Sequence, residues 1–199
     1  MTFVLATANH GKVTEMREIL SDLSFDVVSR DDMGITIDVE ESGETFFENA
    51  LIKAEAICKA TGLPAIADDS GLVVKALDGQ PGVYSSSYGG THLSDNERCS
   101  YLLENMKNME QRDAKFVCNI VCFFPGGDYI RSEGECLGEI ISEPRGNNGF
   151  GYDPVFLVSD TGKTMAELAS DEKNKISHRG NALRKFVLLL KEHKERGNR

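Results

Sequence analysis

Residues Thr2 to Leu20 read TFVLATANHGKVTEMREIL: an apolar run, a polar turn around Asn9, His10 and Gly11, then Val13, Met16, Ile19 and Leu20. Apolar residues that recur at three- and four-residue spacing after such a turn mark one face of a helix, so the chain opens as strand, loop, helix. Thr45 and Glu48 form a capping-box pair that starts a second helix, with Phe47, Ala50, Leu51, Ala54 and Cys58 on one face and Gly62 as its stop. Pro64 to Ala67 and Gly71 to Val74 read as buried strand segments, interrupted by an acidic turn at Asp68-Asp69-Ser70. Ser94 and Glu97 open a third helix running to about Lys107. Lys115 to Phe124 and Tyr129 to Cys136 predict a hairpin across Pro125-Gly126-Gly127-Asp128. From Ser177 onward, Leu183, Phe186, Val187 and Leu190 predict a closing amphipathic helix with a basic end at Lys191 to Arg199. Helices alternating with strands, followed by a hairpin, define an α/β fold with a mixed sheet and a crevice where segments converge.

The chain has 199 residues, 40% of them hydrophobic, which is enough to bury a core in a single domain. Lysine and arginine number 22 against 32 acids, giving a formal charge of −10. A surface this acidic repels polymeric nucleic acid and anionic membranes, so neither is expected as a partner. A polyanionic small ligand would need a few placed cations and a bound divalent metal. Five cysteines without a CxxC spacing imply neither a disulfide framework nor a zinc knuckle, and fit a reducing cytoplasm. The four histidines form no HExxH pair, which argues against zinc. The first residues lack the pattern of a signal peptide, and no apolar run approaches the roughly 20 residues that span a bilayer.

Four polar clusters lie at the ends of predicted elements. Thr7-Ala8-Asn9-His10-Gly11-Lys12 leaves a strand and enters a helix, where backbone N–H groups, a hydroxyl and a lysine suit phosphate. An ordinary βα turn with a solvated Lys12 would look the same, and the GxxxxGK[ST] pattern is absent. Glu40 and Glu41 precede a helix start and suit a hard cation through oxygen, magnesium above all, although acids are also favoured there by the helix dipole. Asp68 and Asp69 follow an apolar strand, where buried carboxylates require compensation by a metal or cations; one can hold an ion while another accepts a proton from water. A polar turn between strands is the plain alternative. The fourth cluster joins Asn148-Gly149-Phe150-Gly151-Tyr152-Asp153-Pro154 with Lys173 and Ser177-His178-Arg179. Phe150 or Tyr152 suits stacking on a base, against core packing beside a turn; His178 and Arg179 would otherwise be a solvated first turn.

Taken in order, ATANHGK (residues 6–12), FENALIKA (47–54), PAIADDSGL (64–72), NNGFGYDPVF (147–156) and EKNKISHRGNAL (172–183) closely resemble the inosine triphosphate pyrophosphatase family, also called dITP/XTP pyrophosphatases. The likeness runs from Thr2 to about Phe186. It implies a homodimeric α/β enzyme with a long curved mixed sheet, flanking helices and two lobes around a central nucleotide cleft. Such enzymes convert ITP, dITP or XTP, with magnesium and water, to the monophosphate and pyrophosphate. By position within the motifs, Thr7 to Lys12 would bind the triphosphate and Asp69 would act as general base and metal-associated carboxylate. Asp68 would assist, Ser70 would touch substrate, and Glu40, or Glu41, would bind the metal. Phe150, Gly151, Tyr152 and Asp153 would enclose base and sugar; Lys173, His178 and Arg179 would read the base edge.

The expected selectivity has a physical form. A cationic donor such as Arg179 matches the 6-oxo group of hypoxanthine or xanthine, whereas adenine presents a donor there, and an unmatched buried pair costs about 1–3 kcal/mol. Guanine keeps the 6-oxo group, so its rejection would depend on the 2-amino group. Two rivals remain: the same chemistry on other nucleotides, such as modified pyrimidines, and a nucleotide sensor that binds ITP without cleaving it.

Overall fold

The computed structural model describes residues 2–20 and 26–197. Of the basic C-terminal end anticipated above, Asn198 and Arg199 lie outside the described residues. Six strands form one mixed sheet in the order β2-β1-β3-β4-β5-β6. The strands are β1 (Thr2–Leu5), β2 (Asp26–Ser29), β3 (Ala65–Val74), β4 (Asp113–Phe123), β5 (Tyr129–Ile140) and β6 (Phe156–Val158). The helices are α1 (His10–Leu20), α2 (Phe46–Thr61), α3 (Asp95–Asn105), α4 (Ser170–Ile176) and α5 (His178–Gly197). β1 pairs in parallel with both β2 and β3, and β6 pairs antiparallel with β5. Among the described residues, no helix is long and apolar enough to cross a membrane.

The chain divides into two compact units, Met1–Asp69 with Cys118–Gly134 and Arg179–Arg199, and Ser70–Val117 with Glu135–His178. In the first unit the strands alternate their side chains between two apolar layers, as a pleated strand must. Phe3, Leu5, Ile66, Cys118, Ile120 and Cys122 pack with Val13, Met16 and Leu20 of α1 and with Leu183, Phe186 and Leu190 of α5. Val4, Ala6, Ala65, Ala67 and Val121 pack instead with Ala50, Ala54 and Ile57 of α2. The helices therefore cover opposite faces of the strands. The second unit has its own core, in which Cys99 and Leu102 of α3 and Met106 at its C-cap meet Phe116, Ile140, Tyr152 and Phe156.

Both capping boxes form as the sequence requires, Thr45 with Glu48 and Ser94 with Glu97, and Gly62 ends α2 in the left-handed region at φ 68°. The acidic turn expected at Asp68-Asp69-Ser70 does not exist: β3 runs unbroken from Ala65 to Val74. Carboxylates tolerate this burial because cations meet them on both faces.

Candidate active site

Strand periodicity explains the arrangement around Asp68 and Asp69. Asp68 shares the phase of Ile66 and so faces the layer covered by α1 and α5; Asp69 shares the phase of Ala65 and Ala67 and faces α2. Asp68 is fully buried, and its Oδ2 receives the Lys12 ammonium at 3.1 Å and Arg179 Nη2 and Nε at 3.0 and 3.2 Å. The Cys118 thiol approaches the same oxygen at 4.0 Å. Arg179 also pairs through Nη1 with Glu15 of α1. Burial alone would raise the pKa of Asp68, but Lys12 and Arg179 outweigh it and hold the carboxyl well below the usual carboxylate range.

Asp69 has a different environment. Its Oδ2 accepts from Asn49 Nδ2 at 3.2 Å and its Oδ1 from Lys53 Nζ at 3.3 Å, both from α2. Lys53 also pairs with Glu41 at 3.1 Å. Desolvation raises the pKa of Asp69 in spite of Lys53 and Lys12, and the charges of Glu41 and Asp68 add to the rise. Neighbouring carboxylates thus differ in opposite directions, one locked as an anion and the other poised to take a proton. For Lys53, burial disfavours the charge, yet Asp69, Asp68 and Glu41 together raise its pKa and keep it an ammonium.

The loop ahead of α1 supplies the remaining groups of this unit. Asn9 is the helix cap, its Oδ1 accepting the Lys12 N–H at 3.1 Å, while Asn9 N–H donates to Thr7 Oγ1 at 3.2 Å. Ala8, Asn9 and His10 are exposed, so the backbone at the start of α1 faces solvent while Lys12 reaches inward to Asp68. A helix start with a lysine is a favourable place for a phosphate.

In the second unit, Lys173 is buried and its Nζ lies 2.5 Å from Asp153 Oδ2 and 4.9 Å from the centre of the Phe150 ring. The same Asp153 oxygen accepts the Phe150 N–H at 3.0 Å, closing a tight turn. Gly149 is required there: its φ is +75°, and a Cβ would stand 2.0 Å from Asp153 Oδ2. His178 is buried with its ring stacked on Phe116 at 4.7 Å. Ser70 is partly buried within β3.

Several expectations change. Tyr152 is not available to stack on a base: its ring belongs to the core and its hydroxyl donates to the Ser85 carbonyl at 2.9 Å, as a buried phenol must find a partner. Asp153 holds Lys173 and the Phe150 amide within the loop. Arg179 pairs with Asp68 and Glu15, which places its guanidinium within the carboxylate centre. Of the exposed Glu40 and Glu41, Glu41 joins the Lys53–Asp69 pair. Asn49, Lys53 and Glu15 were missed. The sequence did carry a signal for the first two, a buried amide and a buried lysine four residues apart on the apolar face of α2.

Among the described residues, no three His, Cys, Asp or Glu side chains gather as an all-protein metal cage. Magnesium does not demand one: it keeps several waters and takes one or two carboxylates together with substrate phosphates. Asp69 and Glu41, already sharing one cation in Lys53, fit that donor set.

An α/β unit whose strand carries two buried carboxylates, each held by its own cations and flanked by a lysine-bearing helix start, suits phosphate-handling chemistry. The chain belongs to the Ham1 family, whose profile matches residues 3–189. A dITP/XTP pyrophosphatase of Bacillus subtilis is 50% identical over 189 residues, covering 94% of this chain and 96% of that protein. A dITP/XTP pyrophosphatase of Thermus thermophilus is 50% identical over 194 residues, covering 96% and 93%. A solved HAM1 protein from Coxiella burnetii superposes with a TM-score of 0.89 at 44% identity, over 96% of this chain and 99% of that one.

Proposed function

We propose that the chain hydrolyses abnormal purine nucleoside triphosphates, ITP, dITP and XTP, to the monophosphate and pyrophosphate, removing them from the nucleotide pool. The observation that carries the reading is the placement of Asp68 against Lys12 and Arg179, and of Asp69 against Asn49 and Lys53, on opposite faces of one strand. Hydrolysis of a phosphoanhydride needs a water placed in line, a group to take its proton and charge to offset that developing on phosphate oxygens. Asp69, with its raised pKa, takes the proton. Lys53 and Asn49 fix the orientation of its carboxylate. Lys12 and the loop from Thr7 to Gly11 that leads into α1 hold phosphate oxygens, and Asp68 with Arg179 keeps Lys12 in place. Asp69 with Glu41, or Glu40 beside it, would hold Mg2+, which when bound neutralises phosphate charge and acidifies a water. Phe150 offers a flat face to the base, with Lys173 as a donor over the ring; His178 and Ser70 are further contacts that the family resemblance implies. An ammonium donates and never accepts, so it suits a 6-oxo purine and is mismatched with adenine. A homodimer in the cytoplasm is the assembly and setting that the family resemblance implies.

The test is a panel of ITP, dITP, XTP, ATP and GTP with Mg2+, with and without chelator. Pyrophosphate release from the first three exceeds that from ATP by about 5- to 150-fold, the rate equivalent of about 1–3 kcal/mol for one mismatched buried pair. Chelator abolishes all of it. Equal rates on every nucleotide would sink the specificity, and tight binding of ITP without cleavage would identify a sensor instead.

Replacing Lys53 tests the role of Asp69 through pH. Lys53 lowers the pKa that burial raises, so Lys53→Met raises it further. A general base must be ionised, and the acid limb of kcat/KM therefore moves to higher pH in the variant. An acid limb that stays in place separates Asp69 from the proton transfer.

A further inference from the structure

The Phe150 loop has a second set of anchors. The Gly151 N–H donates to Asp95 Oδ2 at 2.7 Å, and the Gly151 carbonyl accepts from Cys99 Sγ at 3.3 Å. Asp95 and Cys99 stand one turn apart on α3, so one face of that helix grips the peptide groups on both sides of the Gly151 α-carbon. Gly151 itself lies at φ 59°, directly between Phe150 and the buried Tyr152.

Asp95 is not consumed by the helix it starts. Ser94 caps α3, and Glu97 closes the box by accepting from the Ser94 backbone. The Asp95 carboxylate sits exposed in the first turn and spends a charge-assisted hydrogen bond on a residue 56 positions away. Cys99 is buried, and burial, reinforced by the charges of Asp95 and Asp153, pushes its thiol up to about 12, so it stays protonated and able to donate. The helix is itself rigidly placed. Leu102 and Met106 are in the core, and Arg98 donates to the carbonyls of Tyr88, Gly90 and Leu93 at 3.1, 3.1 and 2.7 Å.

We propose that Asp95 and Cys99 are positioning residues for base recognition: by fixing Gly151 from α3 they set the place and tilt of the Phe150 ring beneath the Lys173 ammonium. The inference rests on the reading that Phe150 and Lys173 receive the base. Phe150 is held from one side by Asp153 through its own N–H, and α3 holds the next residue, so the ring has little freedom to re-aim. Without the α3 anchors the ring loses its fixed plane before substrate arrives, and substrate binding must restore that order.

The experiment compares Asp95→Ala with Asp95→Asn, and Cys99→Ala with Cys99→Ser, in steady-state kinetics on ITP and ATP. Asp95→Ala raises KM for ITP about tenfold, the value of one hydrogen bond to a charged group, and leaves kcat within about twofold. The preference for ITP over ATP narrows at the same time. Asp95→Asn keeps an acceptor oxygen and recovers most of the KM; Cys99→Ser keeps a donor and does likewise for the smaller effect of Cys99→Ala. An Asp95→Ala protein with lowered thermal stability but unchanged KM and unchanged ITP preference overturns the inference, as does an Asp95→Asn protein no better than Asp95→Ala. Wild-type protein that releases no pyrophosphate from ITP overturns the underlying reading instead.

Discussion

Asp69→Asn keeps the fold and lowers pyrophosphate release from ITP by on the order of 10²–10⁴-fold, the usual contribution of a positioned general base. The amide has the shape of the carboxylate, retains an oxygen for the Lys53 or Asn49 donor, and leaves Lys53 with Glu41. It has no basic site for the proton of water. Stability follows from the sign of the pKa shift. Asp69 titrates higher in the folded chain than its ordinary 3.8. Its contribution to stability is therefore full below that ordinary value and is lost as pH rises through the folded one. At neutral pH the ionised Asp69 is a burden on the fold that activity requires, and the neutral amide relieves it. Denaturation midpoints of the variant at neutral pH should equal or exceed those of the parent, while the nucleotide assay shows the loss. An Asp69→Asn protein that still turns over ITP removes the base assignment.

Local signals are legible in the sequence because they act within a few residues. A capping box needs only its own turn, and both of those anticipated are present. The hairpin was equally legible: Phe124 N–H donates to Asp128 O and Gly127 N–H to Phe124 O, which closes the Pro-Gly-Gly-Asp turn. Segments with no period of their own were missed. β2 has four residues, β6 has three, and α4 is a polar seven-residue helix, so neither alternation nor an apolar stripe had room to appear. β2 exists through its parallel register with β1, Thr2 opposite Asp26 to Leu5 opposite Ser29. Low strand propensity made Asp68-Asp69-Ser70 look like a turn. The partners that allow a strand there come from far away: Lys53 is 16 residues from Asp69, Asn49 20, and Arg179 111 from Asp68. A motif shows that a side chain carries donors. It does not show which acceptor a distant part of the chain will bring to them, as the Arg179 guanidinium against Asp68 and Glu15 illustrates.

The buried Arg179–Asp68 pair carries the largest expected effect on stability. Arg179→Met leaves the Asp68 carboxylate, fully buried, still paired with Lys12, and takes the guanidinium from Glu15. Removing one partner of a buried pair costs about 3–5 kcal/mol because the other charge stays out of water. At about 2–4 °C per kcal/mol for a chain of this size, the melting temperature falls by roughly 6–20 °C. Lys12 moderates the loss, which places the expected result nearer the lower figure. pH gives a second signature. The folded chain holds Asp68 below its ordinary 3.8, so its stabilising contribution is present above that value and is lost as pH falls towards the folded one. Weakening the cationic surround raises the folded pKa, and Arg179→Met should therefore lose less of its remaining stability on acidification than the parent does. The double variant Asp68→Leu/Arg179→Met separates a charge left unpaired from a hole in the core. Apolar replacements of similar volume for both partners often cost little, so the double variant recovers most of the melting temperature while remaining inactive. A double variant no more stable than Arg179→Met would locate the cost in packing. An Arg179→Met protein as stable as the parent, with its preference for ITP over ATP reduced, would return Arg179 to the base edge.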